Sequence, residues 1–298
     1  MGAKSLVQII SHISDLHIPI TKSPKYSELF NKRIIGYINH HSKRKNLHKK
    51  ENLKLVIEDI HSKKTKHTLI TGDLVNLSLE SEFINASNFL NESFPQNNYS
   101  IVPGNHDAYV KIDYKKSLRH FEVGQDKINL QTSNSPFPFL KIIDRIAIIG
   151  FSTAIQSPPF MCWGKISKEQ IELFDQLLDS IDQNDYFKII MLHHPLHQFG
   201  WMNMKGLLNK DNIVDKILNR GANLIIHGHL HREVINFIEY NKTSIPCIGA
   251  PSSSRIIDGA LSYLQYHIRK IDDTWTLKVY RRNYNFNTNS FEQTEISI

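Results

Sequence analysis

Residues 6–17 read Leu-Val-Gln-Ile-Ile-Ser-His-Ile-Ser-Asp-Leu-His. From Leu6 to Ile13 the segment is mostly apolar and β-branched, and it breaks at Ser14-Asp15, the pattern of a buried strand that delivers a polar loop. The pattern returns at Thr68 to Thr71 before Gly72-Asp73, at Tyr99 to Val102 before Pro103-Gly104, at Ile189 to Leu192 before His193, and at Leu224 to Ile226 before His227. Between these strands lie segments of helical period: Asn52 to Lys63, with apolar Leu53, Val56, Ile57 and Ile60; Leu79 to Leu90; Ser167 to Ile181, opening on a Ser-x-x-Gln capping box; and Asn212 to Leu218. Strand and helix in alternation predict an α/β layered fold. Farther on, Val234 to Tyr240, Ser244 to Ile248, Leu261 to Arg269 and Trp275 to Tyr280 all read as strands. No repeat, low-complexity tract or Pro/Gly/Ser linker divides the chain, so a single domain over residues 1–298, built from two packed sheets, is expected.

Composition bounds the function. The 298 residues are 40% hydrophobic and 22% charged, enough for a large core and unlike a disordered or fibrous chain. Apolar runs such as Ile146 to Phe151 fall far short of the ~20 residues a membrane-spanning helix requires. The N-terminus lacks the apolar stretch of a signal peptide, and Leu6 stands where an N-myristoylation signal wants Ser or Thr, so a cytoplasmic location is expected. Cys162 and Cys247 are too few for a disulfide framework and lack a CxxC spacing; both read as packing thiols. The formal charge of +7 favours anionic ligands.

The segment 21–50 is irregular. An amphipathic piece with Leu29, Phe30, Ile34, Ile35, Tyr37 and Ile38 precedes a basic cluster of Lys43-Arg44-Lys45 and Lys49-Lys50. The plain reading is a solvated surface helix with a flexible end, in which His40, His41 and His48 are solvated too. The alternative is a binding insertion whose apolar and basic residues lie on an anionic bilayer at the inner face of the membrane.

The strand-end loops hold Asp15-Leu16-His17, Gly72-Asp73, Gly104-Asn105-His106-Asp107, His193-His194 and Gly228-His229-Leu230-His231. In α/β sheets ligands gather outside the carboxyl ends of strands, so these five motifs can converge on one pocket. They supply carboxylate, amide oxygen and imidazole without thiolate, a set that suits manganese, iron or zinc better than calcium. Any one motif alone would read as a cap or a hydrogen-bonded surface residue; five at five strand ends would not. Gly72, Gly104 and Gly228 are expected to let the chain turn sharply and bring the neighbouring side chain to the metal. His194, His197 and His227, beside ligand positions, are expected to support or pack, and Asp107 to orient His106 or cap the following turn.

Taken in order, Asp-x-His, Gly-Asp, Gly-Asn-His-Asp, His and Gly-His-x-His resemble the signature of the calcineurin-like metallophosphoesterase superfamily, from Asp15 through His231. Within it the chain looks most like bacterial members grouped with cyclic-nucleotide phosphodiesterases, which share the Leu-His-His-Pro pattern of Leu192 to Pro195. The resemblance implies a four-layer αββα sandwich of two mixed β-sheets flanked by helices. It also implies one metal held by Asp15, His17, Asp73 and His231 and a second held by Asp73, Asn105, His193 and His229, with Asp73 bridging. Manganese, iron or zinc would fill such a pair. His106 matches no metal position in the family and is assigned as general acid.

These readings imply a two-metal phosphoesterase that hydrolyses phosphodiester bonds, cyclic nucleotides among them, with a metal-bridging hydroxide as nucleophile. The expected partner is a small phosphorylated substrate. The alternative is a pyrophosphatase or phosphodiesterase acting on a lipid-linked nucleotide, such as UDP-diacylglucosamine, at the membrane surface. A scaffold that has lost catalysis is disfavoured because all seven ligand positions are filled, and no basic-aromatic stripe suggests a nucleic-acid groove. The loops Thr153 to Lys165, with Pro158, Pro159, Phe160, Met161 and Trp163, and His197 to Leu207, with Phe199, Trp201 and Met202, either stack a base or grip an acyl chain, or fold over the core and bury their own aromatics. Ser252 to Arg255 offers hydroxyls and a cation toward a phosphate, or only a turn.

Overall fold

The computed structural model describes residues 6–44, 46–94, 98–111, 113–121, 135–182, 184–197, 205–240 and 243–298. The chain runs β1 (Gln8–Ile13), α1 (Tyr26–Leu29), α2 (Arg33–Asn39), a π-helical turn (His40–Arg44), α3 (Lys50–Ser62), β2 (His67–Ile70), α4 (Glu80–Ser93) and β3 (Tyr99–Ile101). A short 3₁₀ turn at Leu118–His120 precedes β4 (Phe139–Ile143), β5 (Ile146–Gly150), α5 (Lys168–Asp179), β6 (Phe187–Met191), α6 (Lys210–Arg220) and β7 (Leu224–His227). The last strands are β8 (Val234–Tyr240), β9 (Thr243–Gly249), β10 (Leu261–Ile271), β11 (Thr274–Asn285) and β12 (Ser290–Ile296). They form two six-stranded mixed sheets, in the orders β12-β11-β10-β1-β2-β3 and β4-β5-β6-β7-β9-β8. In the first, β1, β2 and β3 are parallel and β10 runs antiparallel to β1; in the second, β5, β6, β7 and β9 are parallel.

The apolar runs follow from burial on both faces of a parallel sheet. Along the second sheet, Ile146, Ile148, Ile189, Met191, Leu224, Ile226 and Ile248 face the first sheet in one core. Their alternates Ala147, Ile149, Ile190, Leu192, Ile225 and Cys247 pack outward under α5 and α6. α3 buries the predicted stripe of Leu53, Val56, Ile57 and Ile60, spaced for one helix face. Asp59 on that helix receives both Arg282 (2.8 and 2.9 Å) and Tyr263 Oη (2.7 Å), fastening α3 to β10 and β11.

Several expectations change. At α5 the Ser167 hydroxyl does accept from Gln170 N, but the Gln170 side chain bonds the Ser152 backbone twice instead of closing the box. Strands β4, β5 and β12 were not foreseen. The first two are short apolar runs that periodicity cannot separate from buried helix, and β12 is an edge strand with mostly exposed side chains.

The insertion is not a loosely solvated helix. Arg33 donates to the carbonyls of Leu77 (2.8 Å) and Ser78 (2.6 Å), and Lys32 Nζ donates to the Ser157 carbonyl (2.9 Å). A methyl group at Gly36 would stand 2.7 Å from Leu77 Cδ2 and 2.8 Å from the Tyr109 ring, so this glycine lets α2 dock tightly. His40 and His48 are buried, not solvated as expected. His41 stays exposed, and Lys45 lies outside the described residues. Tyr26, Phe30, Ile34 and Ile38, four residues apart, nevertheless present 88, 86, 49 and 62% of their surface.

Candidate metal centre

All five motif loops meet where the carboxyl ends of β1, β2 and β3 approach those of β6 and β7. The hydrogen bonds Asp15 N to Gly72 O (3.0 Å) and His17 N to Asp73 O (2.9 Å) lay the first two loops side by side. The loop after β9 closes the seam: Ser253 N donates to Ser14 O, while the Ser252 and Ser254 hydroxyls donate to the Asp15 carbonyl at 2.8 and 3.2 Å. The serines foreseen as a phosphate contact or a turn therefore seat Asp15.

The structure brings the seven sequence-predicted ligands together. Oδ2 of Asp73 lies 3.7 Å from His17 Nε2 and 3.6 Å from His193 Nε2, between two groups of donors. On one side, Asp15 Oδ1 stands 3.3 Å from His231 Nε2. On the other, Asn105 Oδ1, His193 Nε2 and His229 Nδ1 form a triangle with edges of 2.9, 3.2 and 3.3 Å. Such edges are what donors have when each lies ~2.1 Å from one shared cation.

The tautomers agree. His193 Nδ1 lies 2.6 Å from the Thr71 carbonyl, which fixes the proton there and turns the Nε2 lone pair toward Asn105 and His229. Lone pairs that face one another repel unless a positive charge lies between them. Asp15 Oδ1 is buried and accepts no hydrogen bond among the described residues. Burial, then the neighbouring charge of Asp73, pushes the Asp15 carboxyl well above the usual range; burial takes His193 down to about 4 and lowers His229. Neutral imidazoles beside crowded carboxylates are a donor set for cations.

Backbone conformation carries a signal that sequence reading missed. Asp15, His17, Asp73, His229 and His231 all adopt φ between +41° and +71°. Of the three glycines expected to turn the chain, Gly72 does so, at φ +92°, while Gly104 and Gly228 are required for space. A Cβ on Gly104 would overlap Asp73 Oδ1 and stand 2.7 Å from His193 Cε1; one on Gly228 would overlap the Ser14 hydroxyl.

Asp107 neither orients His106 nor caps the turn that follows it. Its Oδ1 accepts from Leu74 N (2.9 Å) and Val75 N (3.1 Å) and its Oδ2 from Gly104 N (2.8 Å), tying two motif loops together. Buried Glu82 braces the same loop through Asn76 N, Leu77 N and Leu79 N. His106 sits at the rim. Its Nδ1 bonds the Asn76 carbonyl at 2.8 Å, its ring stacks on Tyr109, and it meets the His17 ring edge-on at 4.8 Å. Both nitrogens of His194 are engaged, with Thr153 Oγ1 at 2.7 Å and Cys162 O at 3.1 Å.

His48 is the residue the sequence reading lost. It comes from the insertion, its ring lies 4.4 Å from that of His17 and 5.8 Å from that of His231, and its Nδ1 bonds Ser254 Oγ at 2.7 Å. Nothing in its local sequence marks it, since it stands among lysines. With His17, Tyr37, His40 and His41 it lines a cavity of about 240 Å3 beside the centre. A wider concavity of about 1080 Å3, along α5 and α6, touches none of the clustered residues. Of the loop aromatics, Phe160 is exposed and Trp163 is half-buried, whereas Phe199, Trp201 and Met202 lie outside the described residues.

Comparison with known proteins agrees with this fold. The family model described as calcineurin-like phosphoesterase matches residues 10–233. No curated protein is matched. Among solved structures, a dimetal phosphatase from Danio rerio superposes with a TM-score of 0.62 at 11% identity, over 98% of this chain and 99% of the other. A purple acid phosphatase from seeds of yellow lupin (Lupinus luteus) does so with 0.58 at 13% identity, over 99% of this chain and 54% of the other. At these identities the likeness is one of fold.

Proposed function

The chain belongs to the calcineurin-like phosphoesterase family, a family of metal-dependent phosphoesterases, and from that membership we propose that it is a two-metal phosphodiesterase acting on small phosphorylated substrates such as cyclic nucleotides. The observation that carries the reading is Asp73 Oδ2, set almost equally between His17 and His193 as a bridging ligand must be. Asp15, His17, Asp73 and His231 would hold one cation, and Asp73, Asn105, His193 and His229 the other, manganese, iron or zinc by donor chemistry. Bound there, the pair supplies charge neutralisation at the phosphate and a lowered pKa for water.

The protein's own residues do the rest. Thr71 and Asp107 hold His193 and the two motif loops in register, so the donors keep their places as substrate enters. With Nδ1 held by the Asn76 carbonyl, His106 presents Nε2 as the atom that passes a proton to the leaving alkoxide. Among the described residues, the cavity lined by His17, Thr21, Ser23, Tyr37, His40, His41 and His48 offers imidazole, phenol and hydroxyl groups and neither lysine nor arginine. That lining favours a diester monoanion over a monoester dianion, which carries one more charge to neutralise.

The test is a screen of manganese-loaded protein against phosphomonoesters, linear diesters, cyclic nucleotides and nucleoside diphosphate conjugates. Diesters are expected to turn over fastest. Hydrolysis confined to monoesters would overturn the substrate class.

A second reading rests on the exposed row of Tyr26, Phe30, Ile34 and Ile38, on the outer side of the insertion that roofs the cavity. No helix among the described residues is long and apolar enough to cross a membrane, but this row, which begins next to Lys25 in the sequence, suits peripheral contact with anionic lipid. The substrate would then be a lipid-linked nucleotide such as UDP-diacylglucosamine. Phe30→Ser/Ile34→Ser/Ile38→Ser should abolish sedimentation with anionic liposomes and spare hydrolysis of a soluble diester. Wild-type protein that stays in the supernatant would remove this reading.

A further inference from the structure

A second cluster of metal-ligand side chains lies apart from the seven residues of the centre. One ligand atom each from His197, His227 and Cys247 fall within 4.8 Å of one another, and the two imidazole centroids are 5.3 Å apart. β7 and β9 pair in parallel with Ile225 opposite Cys247 and His227 opposite Gly249, so His227 and Cys247 share one face of the sheet by the two-residue alternation of strands. That is the outward face, where Cys247 packs among Ile190, Leu192, Leu196 and Ile225.

Three observations there point to a cation. First, His227 Nδ1 lies 3.0 Å from the Gly228 carbonyl, which places the proton on Nδ1 and leaves a lone pair on Nε2. That Nε2 is buried and meets no hydrogen-bond partner among the described residues. Second, the strand position opposite the ring is a glycine: a Cβ on Gly249 would lie 2.5 Å from His227 Cε1 and 3.1 Å from each ring nitrogen. The room kept there belongs to the imidazole. Third, a backbone hydrogen bond from Leu196 favours the Cys247 thiolate, against the burial that pushes the thiol up to about 12. One sulfur with two imidazole nitrogens is a zinc donor set, softer than the sulfur-free centre.

We propose that His197, His227 and Cys247 bind one divalent cation of the zinc class, a third metal per chain that staples the loop after β6 to β7 and β9. On binding, the Cys247 S–H bond breaks, its proton leaves to solvent, and the sulfur pair forms the bond to the cation; water completes the coordination. His227 stands two residues before His229 and His197 four after His193, so the cation steadies both segments that carry imidazoles of the centre.

The test loads the full-length protein with cobalt(II) in place of zinc. The other centre holds no sulfur, so a near-ultraviolet thiolate-to-cobalt charge-transfer band reports this site alone. The band is expected in the wild type, in Cys162→Ser, which removes the other thiol, and in Asp73→Ala. It should vanish in Cys247→Ser and His227→Gln, with zinc content of zinc-loaded protein falling by about one equivalent per chain. Wild-type protein that shows only the visible bands of nitrogen and oxygen ligation, or a band that survives Cys247→Ser, would overturn the proposal. The wild-type spectrum decides even if a variant fails to fold.

Discussion

Gly104→Ala isolates the space that Asp73 needs without removing a single donor. The added methyl would overlap Asp73 Oδ1 and lie 2.6 Å from Asp73 N and 2.7 Å from His193 Cε1, where ordinary contact begins at 3.4 Å. Even the milder overlaps require about 0.7 to 0.8 Å of movement, and they push on the residue that carries the bridging carboxylate and on an imidazole of the second cation group at once. The neighbours cannot give way freely, because Asp73 Oδ1 accepts from His106 N at 2.7 Å and Gly104 N is held by Asp107 at 2.8 Å. Displacing catalytic donors by on the order of 1 Å costs about 10²-fold in rate, and disturbing what orients a metal ligand costs about 10- to 100-fold in affinity. Gly104→Ala should therefore lose about two orders of magnitude in kcat/KM at limiting manganese, recovered in part at saturating manganese. Gly206→Ala, where a Cβ meets nothing within 4 Å among the described residues, is the matched control. Metal titration followed by turnover of a chromogenic diester measures both. A Gly104→Ala enzyme within about threefold of wild type at limiting manganese would refute the packing argument, because the change lies well below the 10-fold minimum expected for a disturbed ligand.

Other perturbations separate the roles. Asp73→Ala should remove both turnover and most bound metal, measured by elemental analysis, and full occupancy in that variant would end the bridging assignment. His106→Ala should keep its metals while kcat falls about 10²- to 10⁴-fold, most for poor leaving groups; undiminished activity on such a substrate contradicts the acid role. His48→Ala should lower kcat about 10-fold or more, because the ring braces His17 and Ser254, and a wild-type rate would reduce it to packing. Acid stability of the metal-free protein tests burial: His67 is held down to about 3 and His193 to about 4. Both folded values lie below the unfolded ~6.5, so this stability is complete above about pH 6.5 and is lost as pH falls toward the folded values. At pH 5 each such histidine removes about 2 kcal/mol, seen as a falling urea midpoint; a midpoint flat from pH 7 to 5 contradicts their burial as neutral rings.

How much was legible in the sequence depended on which interactions were local. The five parallel strands show because each is an apolar run cut off by a polar loop, and because Asp15, Asp73, Asn105, His193 and His229 all fall in or beside those loops. Sheet membership was not legible: β10 sits beside β1 across some 250 residues, a pairing that no periodicity encodes. His48 was lost for a related reason. Its burial comes from Ser254 and His17, remote in sequence, while its neighbours are lysines that any local rule assigns to solvent. Asp107 was misjudged because its partners are backbone N–H groups of its own loop and of the loop after β2, which a side-chain pattern does not show.

The left-handed conformation of five proposed ligands ties these threads into one argument about order of assembly. Each non-glycine residue held there costs about 1–2 kcal/mol, so the five together cost about 5–10 kcal/mol, as large as the net stability of many whole domains. Asp and His are among the residues that tolerate this region best, which narrows the cost without removing it. The backbone bonds of Asp15 to Gly72 and of His17 to Asp73, with the serine contacts onto the Asp15 carbonyl, hold two of these turns through protein contacts alone. These contacts predict a centre preorganised by the protein, in which metal binding would release repulsion between lone pairs more than it would fold loops. A metal-free protein whose motif-loop amides exchange as slowly as those of the loaded form would bear this out. Amides at Asp15, His17 and His229 that are protected only after metal is added would instead show that the cations build the loops.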